Sequence, residues 1–232
     1  MPARSGSTRV ANKNIRLFGG RPLLEWTVRA ARDAGSLSRI MVSTDCEDIA
    51  KVARAAGAEV PWLRSQALAS ATADVVDAVL EALDRMVAAG DPRPDGVMLL
   101  QPTSPLRSSV AIRDACAMFA DGQGRSVVSV RPVRDHPAWC RQLDDHGYLQ
   151  PPESGSETPR RSQDLPSVFS LNGAIYVATP ETLVSSRSFY SSETIGFVMP
   201  SQIEGLDIDT SEDWDIAEAY AIAHSAFVDR FR

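Results

Sequence analysis

Between Pro2 and Asn14 the chain gathers Gly6, the hydroxyl residues Ser5, Ser7 and Thr8, and the cations Arg4, Arg9 and Lys13. A glycine lets successive backbone N–H groups turn toward one point, hydroxyls add donors and the cations add charge, so this stretch is suited to cradle a polyphosphate. A solvated basic loop ahead of a helix is the plainer alternative. Near the other end, Asp207 and Asp209 flank apolar Ile208. On a strand both carboxylates face one side and can grip a hard cation that bridges phosphate oxygens. The alternative is that Asp209, Thr210 or Ser211 caps the next helix, where Glu212 and Asp213 suit the positive N-terminal end. Between these poles lies Gln101-Pro102-Thr103-Ser104-Pro105. Its prolines fix a turn that presents the Gln101 carboxamide, which can position a hydroxyl or a phosphate but cannot take up a proton at neutral pH. A turn glutamine facing water is the competing account.

Further candidates are weaker. Asn172 and Tyr176 fall on an apolar stretch from Leu171 to Val177, with Phe189 and Tyr190 beyond it. Asn172 suits sugar hydroxyls and the aromatics suit a pocket wall, although buried packing explains the aromatics equally well. His136 precedes Pro137 and reads as a structural loop histidine rather than a base. Cys46, Cys116 and Cys140 are odd in number and form no CxxC pair, which speaks against a disulfide framework, a zinc site or a nucleophile.

These residues need elements to hold them. Pro22 followed by Leu23 to Ala31 predicts a helix that stops at Gly35, Arg39 to Thr44 a buried strand, and Glu47 to Ala56 a helix that stops at Gly57. A short strand near Ala58 to Trp62, a long helix over Ala73 to Ala89, a strand over Gly96 to Leu100, a helix over Ser108 to Phe119 and a strand over Ser126 to Val130 follow. Strands separated by helices predict a doubly wound α/β sandwich with a mostly parallel sheet, whose ligands sit beyond the carboxyl ends of the strands. The polar motifs Ser43-Thr44-Asp45, Gln101 to Ser104 and Asp207 to Asp209 each follow an apolar run, as that rule requires. Arg134 to Pro166 breaks the alternation with five of the 15 prolines. Composition alone assigns it to disorder, or to an arm that orders against a second subunit.

A chain of 232 residues, 44% apolar and 23% charged, is expected to form a single soluble domain. The formal net charge of −6 argues against nucleic acid or an anionic membrane as partner, so the basic opening loop serves a small anion. No apolar run approaches the roughly 18 residues of a membrane span, and the polar N-terminus is not a signal sequence, so the cytoplasm is the expected compartment.

The opening loop, Val42-Ser43-Thr44-Asp45, Leu99-Leu100-Gln101-Pro102-Thr103-Ser104-Pro105-Leu106-Arg107, Asn172-Gly173-Ala174-Ile175-Tyr176 and Asp207-Ile208-Asp209 occur in that order. Together they resemble the CMP-sialic acid synthetases, cytidylyltransferases that activate acylneuraminates and related nine-carbon 2-keto acids, from Pro2 to about Ala219. The resemblance implies a Rossmann-like nucleotidyltransferase sandwich in which residues 134–166 form a small dimerisation arm that closes the partner's sugar pocket in a homodimer. It also implies transfer of CMP from CTP to the anomeric hydroxyl of a nonulosonic acid, with Mg²⁺ as cofactor. Carried over residue by residue, Arg4, Ser7, Lys13 and Asn14 hold the triphosphate, Arg64, Ser70 and Thr72 read cytosine, Gln101 faces the acceptor sugar, and Asp207 and Asp209 bind the metal. Asn172, Tyr176 and Phe189 line the sugar side. The sequence departs from the family at Thr8, Ala71, Trp139 and Ser162. With Trp139 and Ser162 at positions that are often cationic, Arg160 or Arg161 is expected to meet the sugar carboxylate through its guanidinium fork. A further departure is that Met1 alone precedes Pro2, so the first, central strand is expected to be absent or nearly so. Two other readings stand beside this one. One is a nucleotidylyltransferase for another sugar, such as a 3-deoxy-octulosonate or a hexose 1-phosphate. The other is a catalytically weak nucleotide-sugar binding protein.

Overall fold

The computed structural model describes residues 1–7, 9–69, 74–151 and 161–224. In chain order the elements are the hairpin β1 (Leu17–Phe18) and β2 (Arg21–Pro22), then α1 (Leu23–Ala34), α2 (Glu47–Ala56), α3 (Val75–Ala88), β3 (Val97–Leu100), α4 (Ser109–Asp121) and β4 (Val127–Pro132). The hairpin β5 (Gln142–Leu143) and β6 (Leu149–Gln150) follows, then β7 (Phe169–Ala178), α5 (Pro180–Ser186), β8 (Ile195–Val198) and α6 (Ser211–Ala223).

Local chemistry sets the helix limits. α1 and α2 stop at Gly35 and Gly57, as the sequence led us to expect. Asp74, Ser108, Thr179 and Thr210 cap α3, α4, α5 and α6 by accepting backbone N–H groups of the first turn.

The main sheet runs β3-β7-β4-β8. β4 and β8 are parallel, but β7 is antiparallel to both neighbours, so the sheet is mixed where a mostly parallel one was expected. The reason lies in the connection. Pro132 at the end of β4 pairs with Phe169 at the start of β7, and Val133 N–H donates to the Val168 carbonyl. β4 and β7 thus form one wide hairpin with the arm as its loop, and strands joined as a hairpin run antiparallel. The register between them shifts between Val128 and Val130, opposite the point where Gly173 adopts a φ of 75°.

The run 39–44, expected as a buried strand, and the stretch 58–62 are reduced to single parallel bridges, Met41 to Glu59 and Pro2 to Ser43, with only Val42 and Thr44 of the former buried. The N-terminal pairing persists in miniature: Ser43 N–H donates to the Met1 carbonyl and Ala3 N–H to the Ser43 carbonyl. Three apolar clusters hold the layers together. The largest joins α1, α4 and α6 to β4 and β7 through Trp26, Ile112, Ile175 and Trp214. Leu24 and Val28, on the other face of α1, pack with Ile49 and Ala53 of α2, and Leu83 of α3 packs with Leu183 and Phe189.

In the arm, His136 has the structural role expected of it. Its Nδ1 accepts from Ala138 N–H, so Nε2 carries the proton and donates to the Pro166 carbonyl at 3.1 Å, clasping the two ends of the arm. Beyond the clasp, Leu143, Tyr148 and Leu149 are about 70% exposed.

Candidate functional site

Three segments remote in sequence converge on one cleft of about 230 Å³. The opening loop contributes Arg4, Ser7, Arg9, Lys13 and Asn14, the turn after β3 contributes Gln101 and Thr103, and the segment before α6 contributes Asp209. Each is fixed by backbone. Asn14 is buried; its side chain donates to the Arg4 carbonyl at 2.9 Å, and its own carbonyl receives Leu24 N–H at the start of α1. Ile208 N–H donates to the Thr103 carbonyl at 2.8 Å, joining the acidic segment to the turn. Lys13 Nζ closes the circuit, donating to the Ile208 carbonyl at 2.8 Å and to Asp209 Oδ1 at 3.3 Å, while Arg9 pairs with Asp209 Oδ2 at 3.1 Å.

The two aspartates differ from the expectation of a strand that presents both on one face. Residues 206–209 belong to no strand, and Asp209, not Asp207, lines the cleft. The helix cap goes to neither. Thr210 and Asp213 form a reciprocal capping box for α6, leaving both carboxylates unused by the helix. Burial pushes the Asp207 carboxyl above the ordinary aspartate range; the Thr103 hydroxyl pulls the other way, and the Asp209 charge adds to the rise. Asp207 Oδ1 and Thr103 Oγ1 are both buried, and neither meets a partner at full hydrogen-bond geometry among the described residues. An unsatisfied buried carboxylate oxygen beside a second carboxylate is a donor set suited to a hard cation that completes its shell with phosphate oxygens and water.

Gln101 sits where the sequence put it, at the cleft, with Nε2 only 3.6 Å from the point a Cβ on Gly173 would occupy. Its carbonyl and that of Ala174 are engaged by Arg107, a fully buried guanidinium whose Nη1 donates to Ala174 O at 2.6 Å and to Gln101 O at 3.4 Å. Burial lowers the Arg107 pKa to about 9. Nothing local in the sequence marks Arg107 for this task, because it works through a carbonyl 67 positions away.

Other expected site residues lie apart from the cleft. The Ser5 hydroxyl, counted among the phosphate donors, is occupied by Asp45: Ser5 N–H donates to Oδ1 at 2.9 Å and Oγ to Oδ2 at 2.7 Å. Burial tends to raise the Asp45 pKa, but the Ser5 bonds outweigh it and hold the carboxyl below the usual range. Arg64 is 7% exposed and does not line the cleft; burial lowers its pKa, and Nε and Nη2 have no partner among the described residues. Asn172 turns inward, where its Oδ1 accepts from Ser129 Oγ at 2.6 Å and Ala174 N–H at 3.1 Å. Phe189 is core, 3% exposed and tilted against Tyr176, whereas Tyr176 is partly exposed and the pKa of its phenol is raised by burial and by the nearby Asp207 charge. Arg161 is exposed, and Ser70, Thr72 and Arg160 lie outside the described residues.

A model of the cytidylyltransferase family matches residues 1–165. The chain belongs to the cytidylyltransferase family. This cytidylyltransferase is 42% identical over 218 residues to the CMP-N,N'-diacetyllegionaminic acid synthase of Legionella pneumophila, in an alignment covering 94% of the chain and 93% of that protein. It is 32% identical over 216 residues to an N-acylneuraminate cytidylyltransferase of Streptococcus agalactiae, covering 92% of the chain but 50% of that longer protein. Its fold is similar to that of a CMP:2-keto-3-deoxy-manno-octonic acid synthetase complexed with CTP, with a TM-score of 0.69 and 96% of each chain covered at 15% identity. The nucleotidyltransferase α/β architecture expected from the sequence is thereby established.

Proposed function

We propose that the protein transfers CMP from CTP to the anomeric hydroxyl of a nonulosonic acid of the legionaminic type, releasing pyrophosphate. The observation that carries this reading is the convergence of a cationic loop, a carboxamide and the uncapped carboxylate of Asp209 on one cleft, with the half-buried Asp207 two residues away. Support for the sugar comes from the 42% identity, over nearly the whole of both chains, to a synthase named for diacetyllegionaminic acid.

Arg4, Ser7, Lys13 and Asn14 hold the triphosphate. Asp209 keeps Arg9 and Lys13 turned into the cleft, and an entering triphosphate competes with a single carboxylate for these two cations. Gln101 orients the attacking hydroxyl, an arrangement in which catalysis consists of positioning and charge neutralisation. Asp207 and Asp209 are the residues suited to hold Mg²⁺, which, when bound, neutralises charge on the α-phosphate and the departing pyrophosphate. Among the described residues no group of three or more His, Cys, Asp or Glu could hold a metal ion. Arg64, with Ser70 and Thr72, serves the cytosine side, while Tyr176, with Arg160 or Arg161, serves the sugar side; Phe189 and Asn172 support that side from the core. The exposed Leu143, Tyr148 and Leu149 of the arm meet a second copy of the chain, and the homodimer acts in the cytoplasm. Among the described residues no helix is long and apolar enough to cross a membrane.

The deciding experiment measures pyrophosphate release with CTP, Mg²⁺ and a panel of legionaminic, pseudaminic and acylneuraminic acids, a 3-deoxy-octulosonate and hexose 1-phosphates. Turnover is expected to be fastest with a legionaminic acid. Equal or faster turnover with a hexose 1-phosphate refutes the proposal, and CTP binding without pyrophosphate release with any acceptor supports a binding protein instead.

A further inference from the structure

Asp45 follows the segment 41–44, and its carboxylate reaches the phosphate loop at the surface. Both of its oxygens are engaged by one residue, Ser5, through the backbone N–H at 2.9 Å and the hydroxyl at 2.7 Å. Ser5 stands between Arg4 and Ser7, two of the groups that line the cleft. The Arg4 carbonyl is held from the other side by Asn14. The loop is therefore clamped at consecutive residues, by Asn14 on Arg4 and by Asp45 on Ser5.

Electrostatics makes this arrangement informative. A carboxylate beside a cradle for a polyanion repels the ligand, and if charge were its whole effect, removing Asp45 would improve binding. A two-point grip on a loop has the opposite sign, because hydrogen bonds to a charged acceptor order the segment before the ligand arrives and reduce what binding must fix. The geometry is that of a grip: two short bonds to two different donors of one residue, 40 positions away in sequence.

We infer that Asp45 is a positioning residue of the phosphate loop, setting through Ser5 the conformation in which Arg4 and Ser7 meet the triphosphate. The inference rests on CTP being the nucleotide substrate for its kinetic consequence, but the ordering of the loop stands independently of that reading. It also reassigns Ser5 from ligand donor to internal support, so that Ser5→Ala should act on the nucleotide only by way of Asp45.

The test uses Asp45→Ala, Asp45→Asn, Ser5→Ala and the double variant Ser5→Ala/Asp45→Ala in two measurements. The first is tryptic cleavage after Arg9, an exposed loop residue, in the nucleotide-free protein. Asp45→Ala is expected to be cut about tenfold faster with an unchanged thermal midpoint, a loss on the scale of one to two charge-assisted hydrogen bonds. The second is steady-state kinetics. Asp45→Ala should raise KM for CTP about tenfold, leave KM for the sugar unchanged, and keep this effect at high salt, where a purely electrostatic contribution is screened. Asp45→Asn should lie between parent and Asp45→Ala, and Ser5→Ala should add little once Asp45 is gone. A fall in KM for CTP in Asp45→Asn, or unchanged cleavage after Arg9 in Asp45→Ala, overturns the inference. If the parent releases no pyrophosphate from CTP, the proposed function fails, and the cleavage measurement still decides the role of Asp45.

Discussion

Asp207 and Asp209 stand two residues apart in unlike surroundings, one half-buried with an unsatisfied oxygen and the other bridging two cations at the cleft. Because Thr210 and Asp213 perform the capping, neither carboxylate is needed to start α6. Asp207→Asn and Asp209→Asn are each expected to lower kcat by about 10²–10³ while leaving the thermal midpoint nearly unchanged. Pyrophosphate release across a Mg²⁺ titration, with calorimetry alongside, checks this; activity within a few-fold of the parent at an unaltered metal requirement would return both residues to a structural role. Thr210→Ala should do the reverse, costing about 1 kcal/mol of stability with a modest effect on turnover. At this scale the sequence was legible where a residue type announces its chemistry. Arg4, Lys13, Gln101 and Asp209 could be named from charge and motif, and all four reach the cleft. Illegible were the partners that redirect a side chain. Ser5 and Asn172 carry the right donors, but Asp45 and Ser129, 40 and 43 positions away, engage them.

The turn of Gln202–Gly205 shows how an element can be set by one missing atom. A Cβ on Gly205 would stand 2.4 Å from Asn172 Nδ2, and Asn172 cannot swing aside without giving up its bonds to Ser129 and Ala174. The neighbouring Glu204 accepts from the N–H and hydroxyl of Ser108 at the head of α4, so the turn is pinned on two sides. Gly205→Ala is expected to destabilise the fold by about 1–3 kcal/mol, and to lower turnover further because the displaced turn leads into Asp207. Urea unfolding and kcat measured on the same preparation check both parts. The limits of α1 and α2 were readable because Gly35 and Gly57 punctuate them, whereas the direction of β7 was not, since alternation of apolar residues is identical for parallel and antiparallel strands. What reversed it was the arm, whose proline-rich composition spoke of irregular chain but not of where its ends meet.

For the whole molecule, the arm's clasp at His136 and the outward Leu143, Tyr148 and Leu149 argue for association. Light scattering is expected to give a dimer of the 25.1 kDa chain. Leu143→Glu combined with Leu149→Glu should yield a monomer with reduced turnover but an intact midpoint; a wild-type monomer, or a dimeric double variant, would count against the arm as the contact. The same global view gives the contact of Lys13 with Ile208 and Asp209 a meaning in time. The pair is separated by 195 positions. At a translation rate of about 5–20 residues per second, the phosphate loop leaves the ribosome roughly 10–40 s before the carboxylates that complete its cleft are made. A nascent chain therefore carries its cations without their carboxylate partner until Asp209 has been added, and a product terminated before Asp207 is expected to release no pyrophosphate.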